Sequence, residues 1–379
     1  MTLRKLLVKI HLYLGLLASA VVIVIGLSGA TLVFEQDVDQ ALHPHLWQVM
    51  PRQDKVSLQS ILETVAETYR ARTFLTVEVQ TQPERPYVIS TDSDFQVFVN
   101  PYSGEILGAR EHTQTFFGLM FAVHRTLLGG DIGRRVVGVT TLLVVLLLGT
   151  GLYLWWPRTT ARLTSSLTLR WTAGWKRLNY DVHSVLGFYA SWYLIVIALT
   201  GLVWSFSLFH NALFWVTGSP PPPWKSPPSS VAVEAGTGIT IDEAMRRADE
   251  AIPGAGTTEM RLPQRPQDPI SFVKRVAHTV NPNAQSFLYL DQYTGAIIRA
   301  DRYEELSWGA TLRLLVYPIH VGSIFGRTTQ LLALLASVVV VVSAMTGVLL
   351  WWQKQAPERR HRDARLQISK SELISSEKQ

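Results

Sequence analysis

Four stretches of the chain, 12–34, 136–156, 185–209 and 328–352, run at membrane-spanning length without an Asp, Glu, Lys or Arg. About 20 apolar residues carry a helix across a hydrocarbon core of about 30 Å, so each stretch predicts one transmembrane helix. Between the spans the period changes. "VSLQSILETVAETY" has helical apolar spacing behind a capping Ser57, and "FLTVEVQ", "PYVIST" and "FQVFVN" read as strands, with "PYSGEIL" as a turn. After the third span, "ITIDEAMRRADEAI" predicts a helix, and "TEMRL", "ISFVKRV" and "SFLYLDQYTGAII" predict strands and a turn. The Ser103-Gly104 and Thr294-Gly295 pairs supply the positive φ of a tight turn. Each segment is therefore expected to be a small α+β unit. "GSPPPPWKSPPSS" reads as a semi-rigid linker, and the charged residues after Gln355 as a mobile tail.

The chain also repeats itself. "HLYLGLLASAVVIVIGLSGATLVF" slides without a gap onto "HSVLGFYASWYLIVIALTGLVWSF", so that His11 meets His183, Gly15 meets Gly187, Gly29 meets Gly201 and Phe34 meets Phe206. The second span slides likewise onto the fourth. There His124 meets His320, Gly130 meets Gly326, Thr150-Gly151 meets Thr346-Gly347, and Trp155-Trp156 meets Trp351-Trp352. Leu and Val matches are uninformative in membrane helices, but polar and small residues at fixed offsets show two copies of one plan.

Charge then sets orientation. Arg4, Lys5 and Lys9 precede the first span; Arg158, Arg162, Arg170, Lys176 and Arg177 lie between the second and third; Lys354, Arg359, Arg360, Arg362 and Arg365 follow the fourth. Short cytoplasmic loops collect such residues, which puts both termini in the cytoplasm and both α+β segments outside. The first apolar run is too long for a signal peptide core and ends without a small-x-small cleavage site, so it is expected to be retained as an anchor. The net charge of +6 is thus a topology signal. It is no nucleic-acid footprint, because residues 35–115 hold twelve acidic against six basic residues. The absence of cysteine removes thiolate chemistry, iron–sulfur clusters and covalent c-type haem attachment.

Histidine carries the remaining chemistry. His11 and His183 sit at the cytoplasmic ends of spans one and three; His124 and His320 sit at the outer ends of spans two and four. Ionisable side chains at membrane depth are costly, and neutral imidazole is a common metal ligand. Two imidazoles per layer fit two b-type haems, and Gly15 and Gly187, one turn beyond their histidines, leave room for a flat macrocycle. Histidines copied for structural reasons would show the same pattern. His210 ends span three on the outer side and is an alternative ligand there; His43, His45, His112, His278 and His361 show no pattern. Arg125 and the Arg134-Arg135 pair suit either haem propionates or interfacial anchoring. The paired tryptophans suit an aromatic belt. From His124 to Trp156 a straight helix would span roughly 50 Å, so the chain is expected to break near Gly129-Gly130, and near Gly326 in the second copy.

These residues resemble a known family. "HLYLGL", "HRTLLGG", "HSVLGF" and "IHVGSIFGR", with "NPYSGEIL" and "DQYTGAII" closing the outer segments, look like the PepSY-associated transmembrane proteins over nearly the whole chain. The resemblance implies an integral membrane α-helical protein of four transmembrane helices in two duplicated halves, with two small α+β PepSY-like periplasmic domains. The expected organisation is span 1 (1–35), periplasmic domain (36–115), interfacial helix and span 2 (116–157), cytoplasmic loop (158–181), span 3 (182–212), linker (213–230), second periplasmic domain (231–306), interfacial helix and span 4 (307–353), and tail (354–379). It further implies a bacterial inner-membrane location and haem ligation by His11, His124, His183 and His320. The implied activity is reduction of a ferric siderophore, a hydroxamate of the ferrioxamine kind, in the periplasm, with no catalytic residue beyond the haems. No dinucleotide fingerprint or P-loop is present, so electrons are expected from a quinol or a cytoplasmic reductase. Two rivals stand beside this reading: a PepSY-type binding or regulatory protein with structural histidines, and a siderophore transporter, although no acidic residue interrupts a span to couple ions.

Overall fold

The computed structural model describes the chain apart from residues 1, 92, 226, 231–237, 278 and 377–379, and apart from the side chains of 223, 255 and 356–376. His278 and the side chain of His361 therefore lie outside the described residues, as does the expected start of the second periplasmic domain.

The chain opens with α1 (Leu3–Leu32), α2 (Glu35–Leu42) and the short α3 (Pro44–Trp47). Next come α4 (Leu58–Thr68), capped by the Ser57 side chain as expected, and strands β1 (Phe74–Val79), β2 (Tyr87–Thr91), β3 (Phe95–Val99) and β4 (Ile106–Glu111). α5 (Phe116–Thr126) leads to α6 (Gly130–Trp155); after α7 (Leu163–Ser166), α8 (Trp175–Asp181) passes through a π-helical turn, Val182–Leu186, into α9 (Gly187–Ser205) and then α10 (Ser207–Val216). The second copy supplies α11 (Ile241–Ala251), β5 (Ala255–Arg261), β6 (Ile270–Val276), β7 (Gln285–Leu290), β8 (Ile297–Asp301), α12 (Trp308–His320) and α13 (Arg327–Ser376). The tail, expected to be irregular, continues α13, and the Pro-rich linker carries a 3-10 turn at Pro223–Lys225.

Four helical segments, Leu3–Leu32, Gly130–Trp155, Trp175–Ser205 and Arg327–Gln355, are long and apolar enough to cross a membrane and coincide with the expected spans. The expected breaks are present too. Before α6 the positive φ values fall on Leu127 (49°), Leu128 (61°) and Gly130 (54°), and before α13 on Gly322 (79°) and Gly326 (67°). Two leucines thus adopt the left-handed region that glycine enters without penalty, which stops α5 and frees α6 to start afresh.

The chain divides into two compact units. In the membrane unit (1–30, 123–205 and 332–379) small residues allow close helix approach. A Cβ on Gly26 of α1 would lie 2.7 Å from Val341 of α13, and Ala18, Ser28, Ser191, Ala198 and Ala336 are buried.

The second unit (31–122 and 206–331), outer by the expected topology, carries both of the expected α+β segments. Its strands form one eight-stranded antiparallel sheet in the order β4-β3-β2-β1-β5-β6-β7-β8, with the two halves joined along β1 and β5. Across that seam Val77 faces Met260, both fully buried in a single core to which both halves contribute. Asp242 of α11 accepts hydrogen bonds from Ser57 Oγ and from the Leu58 and Gln59 amides (2.6, 2.7 and 3.1 Å), so an acid of one half caps the helix of the other.

On the opposite face of the seam Glu78 pairs directly with Glu259. Burial and the Glu259 charge raise the Glu78 carboxyl above its ordinary range, against the opposing pull of Arg275 and a hydrogen bond from Gln80. A raised folded pKa means that this position supports folding below the unfolded pKa and loses that support as pH rises through the folded one. Glu78→Gln is therefore expected to raise the unfolding temperature of the detergent-solubilised protein at neutral pH and to leave it unchanged at acid pH.

Candidate functional site

The membrane unit contains a partly open cavity of about 390 Å³ lined by α1, α6, the α8–α9 segment and α13. His11 and His183 both face it. His183 lies in the π-helical turn, a device that widens one turn of a helix and is frequent at functional sites.

The two imidazoles are held in the same way. His11 Nδ1 lies 3.0 Å from Thr150 Oγ1, and His183 Nδ1 lies 3.1 Å from Thr346 Oγ1 and 3.0 Å from the Ser343 carbonyl. Each threonine spends its own proton on a backbone carbonyl, Leu146 at 2.8 Å and Val342 at 2.7 Å, so its oxygen accepts from the imidazole. A carbonyl only accepts, so His183 Nδ1 is the donor, and in the neutral ring the lone pair then falls on Nε2. The next residue in each copy is glycine, and a Cβ on Gly151 or Gly347 would lie 3.3 Å from Cε1 of the respective histidine. The Thr-Gly pairs found by self-comparison are thus histidine locks. Removing one by Thr346→Val is expected to weaken retention of a bound metal group by roughly 10–100-fold, the usual effect of losing an outer-shell partner; the measure is the loss rate of the group from the purified protein.

The rings stand 6.2 Å apart between centroids with their planes at 84°. Two imidazoles on opposite sides of one metal, each bonded at about 2 Å, have centroids roughly 6 Å apart once the ring radii are added. Among the described residues neither Nε2 has a protein partner, and no group of three or more His, Cys, Asp or Glu gathers as a bare ion would require. A macrocycle that brings its own in-plane donors fits this pair. Gly15 and Gly187 line the same cavity, where an added Cβ would meet nothing closer than Leu147 at 3.8 Å and Ser343 Oγ at 4.0 Å. The protein alone leaves space for a side chain at both positions, so their smallness serves whatever enters the cavity.

His124 is also in the membrane unit, on α5. Its Nδ1 donates to the Ile25 carbonyl at 2.8 Å, and the ring lies on α1 where a Cβ on Gly29 would come within 2.9 Å of Cε1. Burial lowers the pKa of this imidazole from its ordinary value, against the backbone hydrogen bond, which raises it. His320 ends α12, and His210 lies on α10, both in the outer unit. His210 Nε2 is buried without a partner among the described residues, which keeps it in play as a ligand.

A sequence model of the PepSY-associated TM region matches residues 8–354. The chain belongs to the PepSY-associated transmembrane family. No curated protein matches it.

In this PepSY-associated protein several side chains take roles the sequence reading did not give them. Trp155 and Trp351 line the cavity, with Trp155 stacked on Phe188 at 3.6 Å, whereas Trp156 and Trp352 are exposed. The aromatic belt therefore falls to one member of each pair. Arg125 is not among the cavity residues, and Arg134 pairs with Asp131 at 3.0 Å. His43 joins Arg110 and Trp47 around the buried Asp39, and His112 lies 3.7 Å from Glu35. The signal for the threonines was present in the repeat; for Asp39 no sequence spacing pointed to Arg110.

Proposed function

We propose that this PepSY-associated transmembrane protein is a di-haem b-type reductase of the bacterial inner membrane, with both termini cytoplasmic, that reduces a ferric hydroxamate siderophore on the periplasmic side. The observation that carries the reading is the His11–His183 pair: two rings 6.2 Å apart between centroids, locked through Nδ1, in a largely apolar cavity flanked by glycines. When bound, haem supplies one-electron transfer without change of ligands.

The chain's own residues do the rest. His11 and His183 would hold the iron through Nε2, while Nδ1 of each is engaged by Thr150 or by Thr346 and the Ser343 carbonyl. The Leu and Val side chains that make up much of the cavity lining would lower the dielectric around a bound group. The second haem rests on the sequence repeat, with His124 and His320 as ligands and His210 as the alternative. The outer unit supplies the docking surface for the chelate, and a quinol or a cytoplasmic reductase the electrons. One electron per ferric ion suffices, because hydroxamate oxygens that grip Fe(III) hold Fe(II) weakly.

The test is an absorption spectrum of the purified protein, oxidised and dithionite-reduced, followed by addition of a ferric hydroxamate and a ferrous chelator. A low-spin Soret band whose reduced form is reoxidised by the chelate, with ferrous iron trapped, is the expected result. A colourless preparation sinks the reading.

A further inference from the structure

The cavity that holds His11 and His183 has one charged end. Of the side chains lining it, Arg4 and Lys354 are cationic and none is a carboxylate. Arg4, at the start of α1, donates from Nη2 to the Leu154 carbonyl at the end of α6, 2.7 Å away. That bond holds the guanidinium across the cavity wall and leaves its other N–H donors available. Its neighbours Lys5 and Lys9 are exposed and do not line the cavity, so Arg4 is set apart from the ordinary basic residues that flank a span. Lys354 joins it from α13. Among the described residues no carboxylate pairs with either.

Two cations at the mouth of an otherwise apolar space call for an anionic partner, and guanidinium is the side chain best shaped for a carboxylate. Farther along α13, eleven residues before Lys354 and level with His183, Ser343 Oγ is buried without a hydrogen-bond partner among the described residues, next to Gly187, where the first copy has Leu147. The two halves therefore differ in polarity around one ring-binding space. Such asymmetry selects a single orientation of a planar ligand with one acidic edge.

We propose that Arg4 and Lys354 clamp the carboxylates of the porphyrin held by His11 and His183, and so fix its acidic edge at the end of the bundle where α1 begins and α13 leaves the cavity. This rests on the haem reading above, and extends it by assigning orientation and anchoring residues.

The experiment uses the full chain in a His124→Ala/His320→Ala background, which leaves the inner pair as the only assigned ligand pair. The protein is stripped and reloaded with protohaem or with its dimethyl ester, whose carboxylates are blocked, and the same is done with Arg4→Gln/Lys354→Gln added. The inner clamp predicts about tenfold tighter uptake of protohaem than of the ester before that change, and equal uptake after it, with a six-coordinate spectrum throughout. Equal uptake of both porphyrins by the starting protein, or discrimination that survives the double substitution, overturns the clamp and assigns Arg4 and Lys354 to lipid headgroups while leaving bis-histidine binding intact. Failure to bind either porphyrin overturns the haem reading and the clamp together. An Arg4→Lys variant that keeps discrimination in part separates loss of charge from loss of fold.

Discussion

Replacing His11 or His183 with alanine is expected to abolish haem binding at the inner cavity, each substitution alone removing about half of the total haem, because a bis-imidazole site loses its iron geometry when either axial ligand goes. The two variants should be spectrally alike, since the proposal assigns both rings, 6.2 Å apart between centroids, to one haem. Combining them should remove no more than either alone, whereas adding His124→Ala should remove the remainder. Haem-to-protein ratio by the alkaline pyridine spectrum reads all of this. If His11→Ala and His183→Ala retained full haem, the pair would be structural, and its threonine and glycine locks would serve only packing.

The second large effect concerns the outer unit. Asp39 of α2 is buried and accepts both Arg110 guanidinium nitrogens at 2.8 Å, Trp47 Nε1 at 2.8 Å and His43 Nδ1 at 3.0 Å. Arg110 in turn lies over the rings of Phe98 and Trp47. Asp39→Ala leaves that guanidinium uncompensated against aromatic surface, and is expected to destabilise the outer unit by about 3–5 kcal/mol, the range for breaking a buried ion pair from one side. Burial raises the Asp39 carboxyl, but the Arg110 bonds and charge, Trp47 and His43 outweigh it and hold the pKa below the usual carboxylate value. The contribution is therefore present above the unfolded carboxylate's pKa and is lost as pH falls through the lower folded one. Hydrogen exchange of β3 and β4 in the full-length protein at neutral and acid pH reports it. Exchange in Asp39→Ala that matches the unsubstituted protein at neutral pH would refute the estimate.

Much of this architecture could be read from residues alone, for identifiable reasons. A membrane span is a one-dimensional signal, and the break before α6 follows from a length that no bilayer accommodates. That break nevertheless uses Leu127 and Leu128 in the left-handed region ahead of Gly130, which no residue preference announces. The β1–β5 seam was missed because an alternating strand looks the same whether its edge meets water or another strand. Thr150 and Thr346 were visible as repeated polar residues, but their role needs the histidine of a different helix. Arg4 registered as a topology charge; only its bond to Leu154 moves it to the cavity. The π-helical turn around His183 leaves no period to detect.

The seam has a bearing on how the two halves of the sheet exist. β1 and β5 each sit mid-sheet only by virtue of the other, so a half expressed by itself presents a naked hydrogen-bonding edge beside an uncovered patch around Val77 or Met260. A single-copy forerunner would have had to meet its own twin along that strand, and joining two genes end to end would have made the partnership permanent.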